Sequence, residues 1–412
     1  MRDNKKFVNN LSRFESYIIL LLVFSLPFYK DELFFDKIIP LLLIIWAIIC
    51  LCKFAFKKTT KKLNLFFFIL IGFYLLHAIG LIYTENIGRG LFNMEKKLTF
   101  FILPVLFALS SPLYFKEKNY LLAFVAGTFS ASIACLFIAL DQGIADNFFY
   151  AKFSYFLHPS YFAMYIVFSI HILWQFVSNE KNLKLIWQLI FCIIMVYFSI
   201  IVYLLSSKIG IISGVLSLVL ILFREIRIQK KPSKKLFFPL FLILLFLFSV
   251  FFNSKFQTFS DNMKKTPNEN THTRFLIWNE AIEIISENFI FGVGTGDTQD
   301  MLNAKFLSNG YTDSFEYKLN AHNQFLETFI ALGLIGFLGL ISLLIVPFFY
   351  FKKELENLPM IFLFLIGFNL FFESMLERFW GIVFFSFFFS FFFISKQSKG
   401  FLYVKYEKQK LK

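Results

Sequence analysis

The feature that most constrains this chain is a series of apolar runs, each about as long as a helix that crosses a bilayer. A hydrocarbon layer about 30 Å thick is spanned by roughly 17–25 helical residues. Runs of that order recur at 16–29, 38–56, 63–83, 98–113, 119–140, 160–177, 185–205, 207–223, 236–252, 324–350, 359–372 and 379–395. Inside a bilayer every backbone N–H and C=O must find a partner within the protein, so such runs are helices or barrel strands. Their apolarity is continuous rather than alternating, which selects helices. The expected fold class is therefore all-α: a polytopic transmembrane bundle of about twelve spans. The first and eleventh runs are short, and the seventh and eighth are parted only by a tight turn at Ser206-Ser207-Lys208. The count accordingly holds to within one or two. Composition agrees, with 58% hydrophobic residues, 65 phenylalanines and only 17% charged residues, where a soluble domain carries about a quarter.

Orientation follows from lysine and arginine, which collect on the cytoplasmic side. With the N-terminus inside, that side receives Arg2, Lys5, Lys6, Lys53, Lys57, Lys58, Lys61 and Lys62, then Arg224, Arg227, Lys230, Lys231, Lys234 and Lys235, and the tail from Lys396 to Lys412. Both termini are then cytoplasmic. The formal charge of +14 is mostly a topology signal, and nucleic acid is not expected as a partner because no soluble basic face carries it. The first apolar run lacks a small-residue cleavage site and is read as a retained helix. Cys50, Cys52, Cys135 and Cys192 all lie in apolar runs and read as small packing residues. The histidines show no metal-ligand spacing, so no metal and no cofactor are expected.

The chain reads as one integrated membrane domain in three stretches: spans one to nine over 1–252, an outer loop over 253–321, and spans ten to twelve with the tail over 322–412. The loop is long for a bundle connection, and loops of that length are functional or disordered. Its apolar residues Phe275, Ile277, Trp278, Ala281, Ile282 and Ile285 predict an amphipathic helix over about 273–288, lying on the membrane surface or packed back on the bundle. The GxGxG at Gly292 has no strand–helix unit around it and reads as a tight turn, not a dinucleotide site. At the loop's exit, Ala321-His322-Asn323-Gln324 opens the tenth span. Taken as one helix at about 100° per residue, His322, Gly333 and Gly336 share a face, with the glycines letting another helix approach closely. A helix N-terminus here also suits an anion such as phosphate.

His322-Asn323, nine residues, then Gly333-Leu334-Ile335-Gly336 resembles the H[NSQ]-x9-GxxG pattern of the bacterial O-antigen ligases, shared with the O-antigen ligase and polymerase superfamily. The run from Arg274 to Ala281, followed by Gly292-Val293-Gly294-Thr295-Gly296, is similar to that superfamily's outer loop. The resemblance implies an enzyme of the bacterial inner membrane. It moves a glycan from undecaprenyl diphosphate to an acceptor hydroxyl, on lipid A–core or another glycan, at the periplasmic face, with membrane lipids as surroundings. By the resemblance His322 helps deprotonate the acceptor and Arg274 contacts the diphosphate. Lys208 stands where the family has a second arginine; a lysine keeps the charge but loses the planar fork.

The chemistry stands apart from the resemblance. A departing diphosphate builds negative charge that fixed cations stabilise, and a hydroxyl nucleophile is helped by a base with pKa near neutrality, which suits histidine. Further substrate-binding candidates are His158, in His158-Pro159-Ser160-Tyr161, and Asn323, with Glu373 and Arg378 in the short outer turn that also holds Glu377. Arg89, Glu95, Lys96 and Lys97 form an outside cluster that runs against the charge bias and hints at an anionic ligand or lipid headgroups. A polymerase with the same donor is an alternative to a ligase. A lipid or polysaccharide transporter is an alternative of another class, disfavoured because no half of the chain is repeated.

Overall fold

The computed structural model describes residues 2–30, 35–56, 65–110, 117–179, 183–229, 236–252, 269–353 and 357–410. Among these residues the regular structure is helical throughout. In chain order the helices are α1 (Arg2–Ser25), α2 (Phe35–Phe56), α3 (Leu65–Gly80), α4 (Ile87–Lys97), α5 (Thr99–Leu109), α6 (Glu117–Asp141), α7 (Tyr150–Phe153), α8 (Pro159–Asn179), α9 (Leu185–Leu205), α10 (Lys208–Gln229) and α11 (Phe237–Phe252). After the long loop begins come α12 (Glu269–Glu287), α13 (Thr298–Ser308), α14 (Thr312–Glu316), α15 (Gln324–Lys353), α16 (Asn357–Leu370) and α17 (Phe379–Lys410). Each of the twelve apolar runs overlaps one of these helices. Among the described residues, six helices are long and apolar enough to cross a membrane, and four shorter apolar ones accompany them. The basic residues at 57–62 and 230–235, and the loop's first part at 253–268, lie outside the described residues.

Two helices form the centre. The apolar part of α8 is 89% buried, whereas that of α9 is 28% buried and turns most of its surface outward. The first half of α17 is equally enclosed, from Phe384 through Phe393. A helix apolar on every side belongs in the interior, and here aromatic rings fill it. Phe384 stacks on Tyr165 at 4.1 Å between centroids, and Phe388 meets Phe124 edge-on at 5.0 Å. Offset and edge-on pairs of this kind add about 0.5–1.5 kcal/mol each beyond area burial.

The loop helix matches the expectation in place and extent, and differs in which side it buries. Ile277, Ala281, Ile284 and Ile285 pack with Leu302, Phe306 and Ile330 into a second, smaller core. Phe275 and Ile282, expected on the packed side, face outward instead. The helix therefore sits on α15 through one stripe and offers a second apolar stripe to its surroundings.

The tenth span corrects the sequence reading. The α15 helix is broken at Gly333, which adopts φ 62° and ψ −158°, a left-handed conformation that only glycine adopts without strain. His322 lies before the helix begins and has φ 45°. His322, Gly333 and Gly336 are thus not on one continuous helical face, and the angular reckoning between them fails. Nor does another helix approach at Gly333. The turn segment Phe289–Gly294 enters the break instead: Val293 and Gly294 donate to the carbonyls of Ile330 and Ala331 at 2.8 and 2.9 Å, and Leu334 donates to the Phe289 carbonyl at 2.8 Å. The backbone groups freed by the break are satisfied this way, as a membrane interior requires. A Cβ on Gly333 would fall 2.3 Å from the Ile290 carbonyl carbon, so the glycine is demanded by space as well as by φ.

The same segment is stapled to the bundle further on. Thr295 Oγ1 donates to the His77 carbonyl at 2.6 Å, and both Asp297 carboxylate oxygens accept from the Glu85 and Asn86 N–H groups at 2.8 Å. The GxGxG stretch does return the loop to the bundle. It does so as a plug in a helix break and a clamp on the end of α3.

Candidate functional site

The site is built from four chain segments that meet at the end of the bundle carrying the long loop. Pro159 opens α8, where its missing N–H costs nothing, and the His158 carbonyl accepts the first free N–H groups, from Tyr161 and Phe162, at 3.0 and 3.1 Å. His158 is thereby fixed at the mouth of the central helix, still exposed. Tyr150, with φ 57°, places its ring 6.5 Å from that of His158, and Tyr161 lies 5.8 Å away on the other side.

The second segment carries His322. Its left-handed backbone is uncommon for a residue with a side chain, and three contacts hold it. The His322 N–H donates to Asn320 Oδ1 at 3.0 Å, the Ala321 N–H to Glu327 Oε2 at 3.0 Å, and Trp278 of α12 donates from Nε1 to the Ala321 carbonyl at 2.9 Å. Asn323 ends the turn as a helix cap: its Oδ1 accepts from Phe325 and Leu326 at 2.9 and 3.2 Å, the usual way to satisfy a helix start. Asn323, a predicted substrate contact, is buried and occupied in that role.

The third segment is the turn after α16. Glu373 is 7% exposed and faces both histidine-bearing segments. Its Oε1 accepts from Ser160 Oγ at 3.0 Å, and its Oε2 lies 3.9 Å from His322 Nδ1. That second distance is an ion-pair separation, beyond a direct hydrogen bond. Burial by itself would raise the Glu373 carboxyl, but the neighbouring His322, His158 and Arg274 outweigh it and hold it below the usual carboxylate range. Loss of solvent around the His158 ring moves it down, with Glu373 pulling the other way. Glu377 does not pair with its neighbours in the turn. It binds Lys97 of α4 through Oε2, and its Oε1 accepts from Gln324 Nε2 at 3.1 Å. Gln324 in turn accepts from the Leu376 N–H at 2.7 Å. This network locks the turn to the start of α15.

The fourth segment is α12, which brings half-buried Arg274 within electrostatic range of Glu373, His158 and Tyr150. Arg378, exposed, reaches the same group from the α17 side, 6.0 Å above the Trp380 ring and in range of His158. His322, Arg274, His158, Glu373 and Arg378 are therefore gathered at one place. Lys208 opens α10 at the same end, half-buried after the left-handed Ser206, on a helix whose Gly210 touches Ala163 of α8. Gly333 and Gly336 lie below and serve the helix break. Sequence reading missed Tyr150, which carries no local signal, and Ser160, which was quoted within a motif but given no task. It named Lys97 and Glu377 without pairing them, because 280 residues separate them.

The arrangement joins an imidazole, a carboxylate facing it, and cations nearby. Comparison with known proteins bears on what such a group acts upon. Residues 190–341 match the family described as O-Antigen ligase. That stretch includes Lys208, Arg274 and His322, while His158, Glu373 and Arg378 enter the site from outside it. A protein of Haemophilus influenzae described as uncharacterized is 32% identical over 94 residues, which is 23% of this chain and 24% of that protein. The matched part therefore spans about a quarter of that relative's length.

Proposed function

The chain belongs to the O-antigen ligase superfamily, whose members are membrane enzymes acting on glycans, and on that premise we propose that it transfers a glycan from undecaprenyl diphosphate to an acceptor hydroxyl on lipid A–core. In this reading the bundle crosses the bacterial inner membrane about twelve times, both termini are cytoplasmic, and the assembled site faces the periplasm. The observation that carries the proposal is the facing of His322 by buried Glu373 with Arg274 beside them.

The reaction has a simple balance. The acceptor oxygen bonds to the anomeric carbon as the bond from that carbon to the diphosphate oxygen breaks, and the acceptor proton passes to His322. Because Nδ1 is turned to Glu373, Nε2 is the nitrogen left for that proton. The imidazolium so formed is stabilised by the carboxylate, as in other base–carboxylate pairs. The diphosphate leaves as an anion, and Arg274 meets it with a fork of donors. Lys208 supplies a point charge from α10, and His158 and Tyr150 line the approach. A charge-assisted contact of this kind contributes about 1.5–3 kcal/mol.

A polymerase would use the same donor and the same His322 with a second lipid-linked glycan as acceptor. The test is reconstitution of the full chain with a lipid-diphosphate glycan and each acceptor class. His322→Ala is expected to lower transfer by about 10²–10⁴-fold, and Arg274→Ala by about 10–100-fold, with both variants folded. Transfer at the unaltered rate in folded His322→Ala would overturn the proposal. The acceptor that becomes elongated separates ligase from polymerase.

A further inference from the structure

Beside the His322 group, Lys96 and Arg378 have no ion pair among the described residues. Lys97 pairs with Glu377, and this ion pair pins the end of α4 to the turn before α17. It also brings the residues on either side of the pair, Lys96 and Arg378, to one rim, within electrostatic range of each other. The nearby carboxylates are engaged elsewhere. Glu377 is held by Lys97 and Gln324, Glu373 by Ser160 and His322, and Glu327 by the Ala321 N–H. Among the described residues, the Lys96 ammonium has a ring contact with Phe92 at 4.6 Å and Arg378 has one with Trp380 at 6.0 Å, and neither has an ion pair.

The surroundings of α4 say where this rim lies. Gly90, Met94 and Lys97 face inward, while Ile87, Leu91 and Phe92 are turned out, with Leu91 57% and Phe92 59% exposed. A short helix with such faces lies in the interface between headgroups and acyl chains. Lys96 leaves that apolar side along the Phe92 ring, as lysine side chains do at membrane boundaries.

We infer that Lys96 and Arg378 form a second anion-binding subsite, distinct from the one at Arg274, which takes a phosphate group at the membrane interface. Two cations at one rim repel each other, and a phosphate between them removes that cost and gains charge-assisted bonds. Burial is the main reason the Lys96 ammonium is brought down to about 8; Glu377 pulls the other way, and Lys97 and Arg378 add to the lowering. Within the transfer reading, on which this use rests, an arriving acceptor that carries phosphate is oriented by this pair while the donor diphosphate lies against Arg274. An anionic lipid headgroup offers the same chemistry from the bilayer.

The test is direct binding, independent of transfer. The full chain in phosphatidylcholine nanodiscs is titrated with decyl phosphate, a phosphate monoester with a single chain. Lys96→Gln and Arg378→Gln are each expected to weaken one class of sites by about tenfold, Lys96→Arg to retain it, and Arg274→Gln to leave it in place. The same titration with phosphatidylglycerol in the disc separates the sources. Competition by that lipid assigns the subsite to headgroups, and its absence assigns it to substrate phosphate. Unchanged binding in folded Lys96→Gln and Arg378→Gln, or loss of all phosphate binding in Arg274→Gln alone, would overturn the inference. Because His322→Ala is expected to leave this binding intact, failure of the transfer reading and failure of the subsite are read separately.

Discussion

Two buried carboxylates, Glu15 and Glu373, sit near opposite ends of the bundle and have opposite surroundings. Glu15 of α1 is 3% exposed and fully engaged. Lys53 of α2 binds one oxygen, and the other accepts from Trp46 Nε1 at 3.2 Å and Cys50 Sγ at 3.4 Å. Trp46 also reaches Ser110, just past the end of α5, at 3.2 Å, so the cluster closes on itself. Glu373 is almost as buried, yet its nearest basic group stands 3.9 Å away, on a histidine that is one-third exposed. Arg274 lies within electrostatic range of Glu373 and Arg378 within range of His158, and neither has an ion pair among the described residues. A saturated polar cluster holds helices together. An open one, with charge left over at its edge, is where a ligand completes the pattern.

The comparison breaks most readily at Glu15. A buried pair that loses one member leaves an uncompensated charge, so Lys53→Met is expected to destabilise the protein by about 3–5 kcal/mol. Thermal unfolding in nanodiscs checks this, and transfer per folded molecule should stay unaltered. Replacing both members, Glu15→Leu with Lys53→Met, should recover most of the loss, since apolar replacement of a whole buried pair is often neutral. If Lys53→Met instead slowed transfer without lowering stability, the division between the two clusters would be wrong.

Glu373→Gln should do the reverse, changing stability by less than about 1 kcal/mol because the Ser160 contact survives in the amide, while transfer falls. A smaller effect follows from pH. The folded Glu373 carboxyl lies below the usual range, so the stability it contributes is present above the unfolded value, about 4.3. That contribution is lost as pH falls through the lower folded value. Melting curves of the unaltered chain and Glu373→Gln across that acid range should converge at the low end.

Much of the frame was legible in the residues. Continuous apolar runs announce helices whatever their neighbours are, and the Ser206–Lys208 turn and the loop helix were found from local signals. The break at Gly333 was not, because the apolar pattern continues through it and a glycine there reads equally well as a packing residue. Its reason lies in Gly292 and Ile290, distant in sequence, whose backbone occupies the space a side chain would need. Asn323 was read as a ligand contact although an asparagine just before a helix start is also a cap signal, and the cap is what the geometry uses. His322 and Arg274 were singled out by motif, whereas the partnership of Glu373 with Ser160 spans 213 residues and depends on which helix ends share one rim.

The central claim is that His322 and Glu373 act as one unit on the transferring proton, and a double-mutant cycle on reconstituted transfer tests it most directly. Residual transfer in His322→Ala, supported by positioning alone, gives the baseline. The account predicts that Glu373→Gln slows the chain bearing His322 by about tenfold and adds nothing in His322→Ala. Equal slowing in both backgrounds would contradict it.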